Sequence, residues 1–209
     1  MLNKTKKNGQ PQMTSKTRLI FTFLVGLMAA SCGFSMSSTP TRNDNACTLI
    51  KHKKSWVRDL KKVEKKWGVP AAVQLAIIWK ESSFNARAKT SRTKVLFFIP
   101  GARRSTASGY AQALDGTWAD YKKRNGLRFA NRADFGDSVD FIGWYLNNAN
   151  KTLRIKKNDA YRMYIAYHEG LKGYQKGSYK AKPWLMSTAK QVKTRAALYS
   201  KQLKKCPAF

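Results

Sequence analysis

The chain has 209 residues, of which 41 are Lys or Arg and 11 are Asp or Glu, so its formal net charge is +30. This length accommodates one domain with a substantial core and is short for two. The charge favours polyanionic partners such as nucleic acid, acidic lipid surfaces or acidic cell-wall polymers, although a basic surface that only keeps the protein soluble fits the same count.

The N-terminus has the pattern of a secretory signal. Residues 19–30 form an apolar stretch of twelve residues, too short to span a bilayer as a stable helix. We therefore interpret residues 1–31 as a signal peptide. Subtracting its five cations from +30 leaves +25 on the rest of the chain. An exported protein rarely meets nucleic acid, so we expect a partner at the cell wall or a membrane surface and no nucleic acid. The five cations are Lys4, Lys6, Lys7, Lys16 and Arg18.

A cysteine follows this apolar stretch directly. The sequence Ala29-Ala30-Ser31-Cys32 resembles the lipobox of bacterial lipoproteins, in which the cysteine is lipidated and becomes the mature N-terminus. The position of Ala29 is usually Leu in that motif, and an ordinary cleaved signal is the alternative. Gly33 replaces the aspartate that commonly retains such proteins in the inner membrane. The resemblance therefore implies a lipid anchor on the periplasmic face of the outer membrane.

The next segment connects this cysteine to the predicted domain. Residues 32–46 are rich in Ser, Thr and Asn and predict a flexible tether, which leaves residues 47–209 as the domain. Cys47 and Cys206 lie at the two ends of that domain, in a chain that export delivers to an oxidising compartment. We predict a disulfide between them.

Apolar residues at helical spacing predict a mainly α fold. A first helix ends at Gly68, and a second starts near Pro70 and runs toward Glu81. Residues 94–100 predict a short strand or an apolar loop. Further helices are predicted after Asp134, around Tyr164 and after Pro183. Their apolar positions are Leu49, Trp56, Leu60, Val63 and Trp67; Phe135, Val139, Ile142 and Leu146; Tyr161, Tyr164, Ile165 and His168; and Leu185, Ala189, Val192, Ala196, Tyr199, Leu203 and Cys206.

Glu81 stands out chemically. It is one of only three glutamates, and it ends the almost uncharged run that begins at Pro70. Burial among apolar groups such as Trp79 and Phe84 disfavours the ionised carboxylate and raises its pKa. A carboxyl that is still protonated near neutrality can act as a general acid. The alternative is an ordinary helix-terminal glutamate paired with Lys80 or Arg87.

Three segments in order resemble a known family. Residues 81–88 read Glu-Ser-Ser-Phe-Asn-Ala-Arg-Ala, residues 109–118 read Gly-Tyr-Ala-Gln-Ala-Leu-Asp-Gly-Thr-Trp, and residues 165–170 read Ile-Ala-Tyr-His-Glu-Gly. Together they resemble the catalytic domain of lytic transglycosylases, which is related to goose-type lysozyme, over about residues 67–172. The second segment departs from the family's Gly-Leu-Met-Gln-x-x-Pro-x-Thr, and the third departs from Ala-Tyr-Asn-Ala-Gly.

The resemblance implies a lysozyme-like domain that cleaves peptidoglycan glycan strands between N-acetylmuramic acid and N-acetylglucosamine. Glu81 would be the acid and then the base, while the sugar's own 6-hydroxyl closes a 1,6-anhydro ring. Tyr167 would support Glu81, although core packing is an equal alternative for this tyrosine. The family precedent implies no cofactor, and we expect a monomer. Candidate substrate contacts are Ser82, Gly109, Tyr110, Gln112 and His168.

Several residues have other interpretations. Gln112 fits a groove residue or a buried glutamine bonded to backbone. Asp115, where the family has Pro, fits a turn or helix-cap aspartate, or a second carboxylate that would make the enzyme a hydrolytic muramidase. His168 and Glu169 resemble half a metal site, but His52 is the only other histidine and no His-x-x-x-His spacing exists, so we expect no metal.

Two further features leave the function open. Residues 92–108 are a longer insertion than the family usually has between its first two motifs, and they predict an added hairpin or loop over the groove. The altered motifs and the charge of +25 also fit a non-catalytic wall-binding or envelope-assembly protein.

Overall fold

Helices make up most of the protein in a computed structural model that describes residues 44–95, 99–103 and 105–209. The mainly α fold predicted from the sequence is confirmed. In chain order the elements are α1 (Ala46–Ile50), α2 (Lys54–Trp67), α3 (Ala71–Ser82), β1 (Arg92–Val95), β2 (Ile99–Arg103), α4 (Asp115–Asn125), α5 (Phe135–Leu153), α6 (Ala160–Lys176), a 3-10 turn (Ser178–Ala181) and α7 (Pro183–Lys204).

Helix α3 lies at the centre of the core. Every residue from Ala71 to Ile78 is buried, and the helix packs against α2, α5 and α7. A helix that is apolar on all sides can be stable only when other elements surround it. Its single buried polar side chain, Gln74, donates its amide to the carbonyl of Val69 at 2.7 Å. The sequence correctly predicted this buried helix and the position of Glu81 in its last turn.

The first predicted helix is in fact two helices. Asn45 caps α1 by accepting a hydrogen bond from the Thr48 amide, and the chain turns at residues 51–53 before α2 begins. The step of seven residues from Leu49 to Trp56 equals two helical turns, so the spacing alone could not reveal the break. The end of α2 at Gly68 is as predicted, since this glycine has the left-handed φ of 67°.

The folded part starts slightly before the predicted domain boundary. Arg195 forms an ion pair with Asp44 at 2.7 Å, and the amide of Ala46 donates to Gln202 at 2.8 Å. These contacts attach residues 44–46 to α7, so the last three residues predicted as tether are packed against the domain. The rest of the predicted tether, the signal peptide and Cys32 lie outside the described residues. No helix in the described ranges has both the length and the apolar character that crossing a membrane requires.

The predicted insertion contains a hairpin. Strands β1 and β2 pair antiparallel, with Val95 opposite Ile99. Isolated bridges pair Ser108 with Lys89, which precedes the hairpin, and with Ala113, which follows it. The two ends of the insertion are therefore held together next to the loop that leads into α4. Helix α4 was not predicted, because Trp118 and Tyr121 are its only buried residues and give too short an apolar stripe.

The predicted disulfide between Cys47 and Cys206 is present, with the two Cα atoms 5.4 Å apart. The cysteines are 159 positions apart in the sequence, so the bond joins the beginning and the end of the domain. The predicted apolar face of α7 is buried as expected, and Cys206 continues it just beyond the helix end.

We expect the double substitution Cys47→Ser and Cys206→Ser to lower the free energy of unfolding by about 2–5 kcal/mol, because a long loop is released in the unfolded chain. Urea unfolding of the two proteins measures the difference. Reductant should lower the stability of the wild type by a similar amount and leave the variant unchanged. Equal stability of oxidised wild type and variant would contradict the expectation.

Candidate active site

Glu81 has a different environment from the other two glutamates. Glu64 accepts a hydrogen bond from the amide of Ala71, and Glu169 is paired with Lys182 at 2.8 Å. Glu81 forms no ion pair with any residue that the structure describes, and its Oε1 is buried without a hydrogen-bond partner there. A buried carboxyl oxygen without a partner is costly and rare in folded proteins.

Burial changes the acidity of this carboxyl. Loss of solvent raises the pKa of Glu81 from its ordinary value near 4.5 to about 7, although a hydrogen bond with Tyr164 and the charge of Lys80 both lower it. Lys80 itself donates to Gln191 on α7 at 3.1 Å. The alternative of an ordinary ion-paired glutamate is therefore not what the structure contains. Near neutral pH this group exists in both protonated and ionised forms, as an acid that later becomes a base requires.

Two tyrosines of α6 lie near Glu81, and they have different partners. Tyr164 forms the hydrogen bond with Glu81, and burial together with the charge of Glu81 raises the pKa of Tyr164. Tyr167 donates its hydroxyl to the carbonyl of Ala111 at 2.6 Å. Burial, followed by the charge of Glu81, also raises the pKa of Tyr167. The hydroxyl of Tyr167 is therefore engaged by the Ala111 carbonyl, and Tyr164 is the tyrosine whose hydrogen bond lowers the pKa of Glu81, so direct support of Glu81 by Tyr167 stays a prediction.

The chain leaves α3 through a strained turn. Ser83 and Phe84 have φ angles of 50° and 63°, in the left-handed region that is unfavourable for residues other than glycine. Phe84 packs on Trp56 with ring centroids 6.2 Å apart, which holds the turn in place. The predicted substrate contact Ser82 uses its hydroxyl within the helix, since it donates to the carbonyl of Ile78 at 3.2 Å.

A small cavity of about 190 Å³ lies beside Tyr167. We call it the groove pocket. Two predicted substrate contacts, Gln112 and His168, line it together with Tyr167 and Thr117. The structure thus brings together residues of the second and third motifs, which are more than fifty positions apart in the sequence. Its other lining residues are Ala113, Leu114, Phe141, Tyr145, Glu169 and Gly170.

The loop that precedes this pocket is held by its own backbone contacts. Gln112, which has a left-handed φ of 48°, donates its amide to the carbonyls of Ala88 at 3.0 Å and Gly109 at 2.9 Å. Gln112 is thus half-buried, lines the pocket and bonds to backbone, and its contact with a substrate stays a prediction. Gly109 lets the loop lie close to the backbone of Arg132, because a Cβ atom at this position would lie 2.0 Å from the carbonyl oxygen of Arg132.

Two predicted site residues lie elsewhere. Tyr110 packs edge-on against Trp56 and Phe135, whose rings stack 3.7 Å apart, and it does not line the groove pocket. Asp115 is the first residue of α4 and forms an ion pair with Arg132 at 2.6 Å. The predicted helix cap is off by one residue, because Leu114 occupies the N-cap position, and Asp115 is also absent from the lining of the groove pocket.

The third motif contains an unpredicted ion-pair network. Glu169 accepts hydrogen bonds from Lys182 and from the hydroxyl of Ser178 at 2.6 Å, and these contacts lower its pKa. His168 is exposed, with its ring 5.1 Å from that of Trp184. Sequence patterns do not signal this network, because Glu169 and Lys182 are separated by more than three helical turns of chain.

Comparison with known families agrees with this geometry. The transglycosylase SLT domain family matches residues 19–206. The chain therefore belongs to the SLT-domain family of lytic transglycosylases, enzymes that cleave peptidoglycan in the cell envelope. No curated protein sequence matches the chain well enough to count as a relative.

The raised pKa of Glu81 gives stability a defined pH dependence. Between about pH 4.5 and pH 7 the unfolded chain ionises Glu81 while the folded chain keeps its proton, so the free energy of unfolding falls by about 3 kcal/mol as pH rises. Glu81→Gln removes this loss. We expect the variant and wild type to be equally stable near pH 4, and the variant to be more stable by about 3 kcal/mol near pH 8.

Urea unfolding at several pH values measures this difference. Glu64→Gln is the matched control, because Glu64 is exposed and bonded to a backbone amide. The control should not become more stable relative to wild type as pH rises. A difference between Glu81→Gln and wild type that does not change with pH would show that folding does not raise the pKa of this carboxyl.

Proposed function

We propose that Glu81 is the general acid and then the general base of the cleavage reaction. The observation that supports this is its buried, unpaired carboxyl with a pKa of about 7. As an acid it would protonate the glycosidic oxygen as the bond to the leaving sugar breaks. As a base it would then take the proton from the incoming nucleophile.

We propose that the bond cleaved is the β-1,4 link between N-acetylmuramic acid and N-acetylglucosamine, and that the product is 1,6-anhydro-N-acetylmuramic acid. A hydrolytic enzyme ordinarily needs a second free carboxylate to activate water or attack the sugar. Asp115 and Glu169 are both in ion pairs, with Arg132 and Lys182 respectively. The 6-hydroxyl of the sugar is already close to the reacting carbon, so a single free carboxyl is sufficient.

The other groups would serve in binding and positioning. Gln112 and His168 line the groove pocket and would contact the glycan. Tyr164 would orient Glu81, and Tyr167 would hold the Ala111 carbonyl and so the loop that borders the pocket. Neither tyrosine is proposed to exchange a proton with the substrate.

We also propose that the protein is exported and anchored through a lipid on Cys32. The disulfide between Cys47 and Cys206 supports export, because such bonds form and persist in oxidising compartments. The apolar stretch at residues 19–30 and the lipobox-like sequence before Cys32 support the anchor.

Digestion of purified peptidoglycan by the full-length protein, followed by mass spectrometry, tests the reaction. We expect anhydro-muropeptides as products. Glu81→Gln should reduce the rate at least about a hundredfold, because a general acid contributes on that scale. Reducing-end products would instead indicate hydrolysis, and binding without cleavage would indicate a wall-binding protein. Near-wild-type activity of Glu81→Gln would refute the assignment.

Asp115→Asn separates the two catalytic schemes. It removes the negative charge of the pair with Arg132 while keeping the size of the side chain. We expect anhydro products and a rate within a few-fold of wild type, because Asp115 takes no part in the proposed reaction. A loss as large as that of Glu81→Gln, together with reducing-end products in the wild type, would support the hydrolytic scheme.

Tyr164→Phe tests how Glu81 is positioned. Without the Tyr164 hydroxyl, the hydrogen bond that lowers the pKa of Glu81 is lost, so that pKa should rise above about 7. The acid form then persists to higher pH, and the falling limb of the activity profile should move in the same direction. Tyr167→Phe should leave the limb in place. An unmoved limb in Tyr164→Phe would contradict the role.

A further inference from the structure

A second and larger cavity, of about 800 Å³, borders the same loop at residues 109–113. We call it the cationic pocket. Four basic residues line it and no acidic residue does. Its lining includes Trp118 and residues 86–89, the segment that follows the strained turn after Glu81. The basic residues are Arg87, Lys89, Lys122 and Arg132.

Three of these cations lack an acidic partner. Arg132 is engaged by Asp115 and by the carbonyls of Thr106 and Ala113. Arg87, Lys89 and Lys122 form no ion pair with the residues of the described ranges. Lys122 is half-buried. A partly desolvated ammonium group gains most from an anion that enters the cavity.

The unpaired cations matter more than the overall charge of the protein. Salt screens exposed charges over about 8 Å under physiological conditions, so distant lysines contribute little inside this cavity. Cations that line the same concave wall are within that range of a bound ligand. The local arrangement therefore selects an anionic ligand, whereas the total charge gives only general attraction.

The cationic pocket and the groove pocket share one loop. Gln112 lines the groove pocket, and its side-chain amide bonds to Ala88 and Gly109, both of which line the cationic pocket. Arg132 of the cationic pocket likewise bonds to Ala113 of the groove pocket. A branched ligand could thus place its sugar on one side of the loop and an anionic branch on the other.

We propose that the cationic pocket binds the carboxylates of the peptide stems that peptidoglycan carries on its N-acetylmuramic acid residues. This inference rests on the proposed function, because it takes the glycan in the groove pocket as the anchor of the branch. Arg87, Lys89 and Lys122 supply the charge-assisted hydrogen bonds, and Trp118 supplies an apolar wall for the peptide. The pocket thereby favours peptide-bearing strands over stripped ones.

Binding measurements with the full-length Glu81→Gln protein test the proposal without cleavage of the ligand. The probes are soluble glycan strands that carry their peptides and the same strands after an amidase has removed them. By titration calorimetry, we expect peptide-bearing strands to bind at least about tenfold more tightly, the scale of one hydrogen bond to a charged group. Equal affinity for the two probes would overturn the proposal.

Three substitutions in that background locate the effect. Arg87→Gln, Lys89→Gln and Lys122→Gln together should reduce the affinity for peptide-bearing strands to that for stripped strands, which should itself change by less than about twofold. The charge-matched control removes three exposed cations that line neither pocket, and it should keep the preference. The control substitutions are Lys176→Gln, Lys193→Gln and Lys201→Gln.

The alternative outcomes have distinct meanings. If the triple substitution lowers the affinity for both probes equally, or if the control lowers the affinity for peptide-bearing strands as much, only the general charge of the protein acts. Either result would overturn the proposal. If inorganic phosphate competes with the peptide-bearing strands for binding and free stem peptide does not, the pocket is a phosphate site. That result would also overturn the proposal. Circular dichroism verifies folding, and Arg87→Gln alone carries the test if the triple variant does not fold. Failure of the cleavage assay refutes Glu81 as the acid and leaves these binding results to be judged separately.

Discussion

The raised pKa of Glu81 depends on keeping its carboxyl out of water. Helix α3 achieves this because its apolar residues are surrounded by neighbouring helices and its last turn delivers the carboxyl to the edge of that core. The ionised form loses about 3 kcal/mol relative to water at neutral pH. A fully buried Leu or Ile side chain contributes about 1.5–3 kcal/mol, so the burial of Leu75, Ile77 and Ile78 offsets this loss.

The same constraint explains the irregular backbone around the site. A carboxyl at the end of a buried helix needs a chain that turns away at once, and the left-handed turn at Ser83 and Phe84 does so. Such backbone persists only where packing over-determines it, and the stacking of Phe84 on Trp56 is that packing. Gln112 shows the same combination of left-handed backbone and fixed contacts across the groove. Left-handed backbone therefore occurs both in the turn that follows Glu81 and in the loop that borders the groove pocket.

The sequence predicted what periodicity and rarity can reveal. The buried helix that ends at Glu81, the face of α7 and the bond between Cys47 and Cys206 all follow from apolar spacing or from position in the chain. Sequence patterns did not predict which of two similar side chains lies nearer to Glu81. Tyr164 and Tyr167 are one turn apart on α6, and only three-dimensional packing decides which one reaches Glu81. Ion-pair partners distant in sequence were equally invisible.

The altered motifs are consistent with a mechanism that uses one free carboxyl. The motif changes add two acidic groups, Asp115 and Glu169, which would offer a second carboxylate if either were free. Arg132 and Lys182 hold them in ion pairs, and Ser178 occupies a further oxygen of Glu169. The contacts of Glu169 lower its pKa, so this carboxylate is a weaker base than a free one. The substitutions therefore introduce two carboxyls that are held in ion pairs, whereas Glu81 forms no ion pair with the described residues.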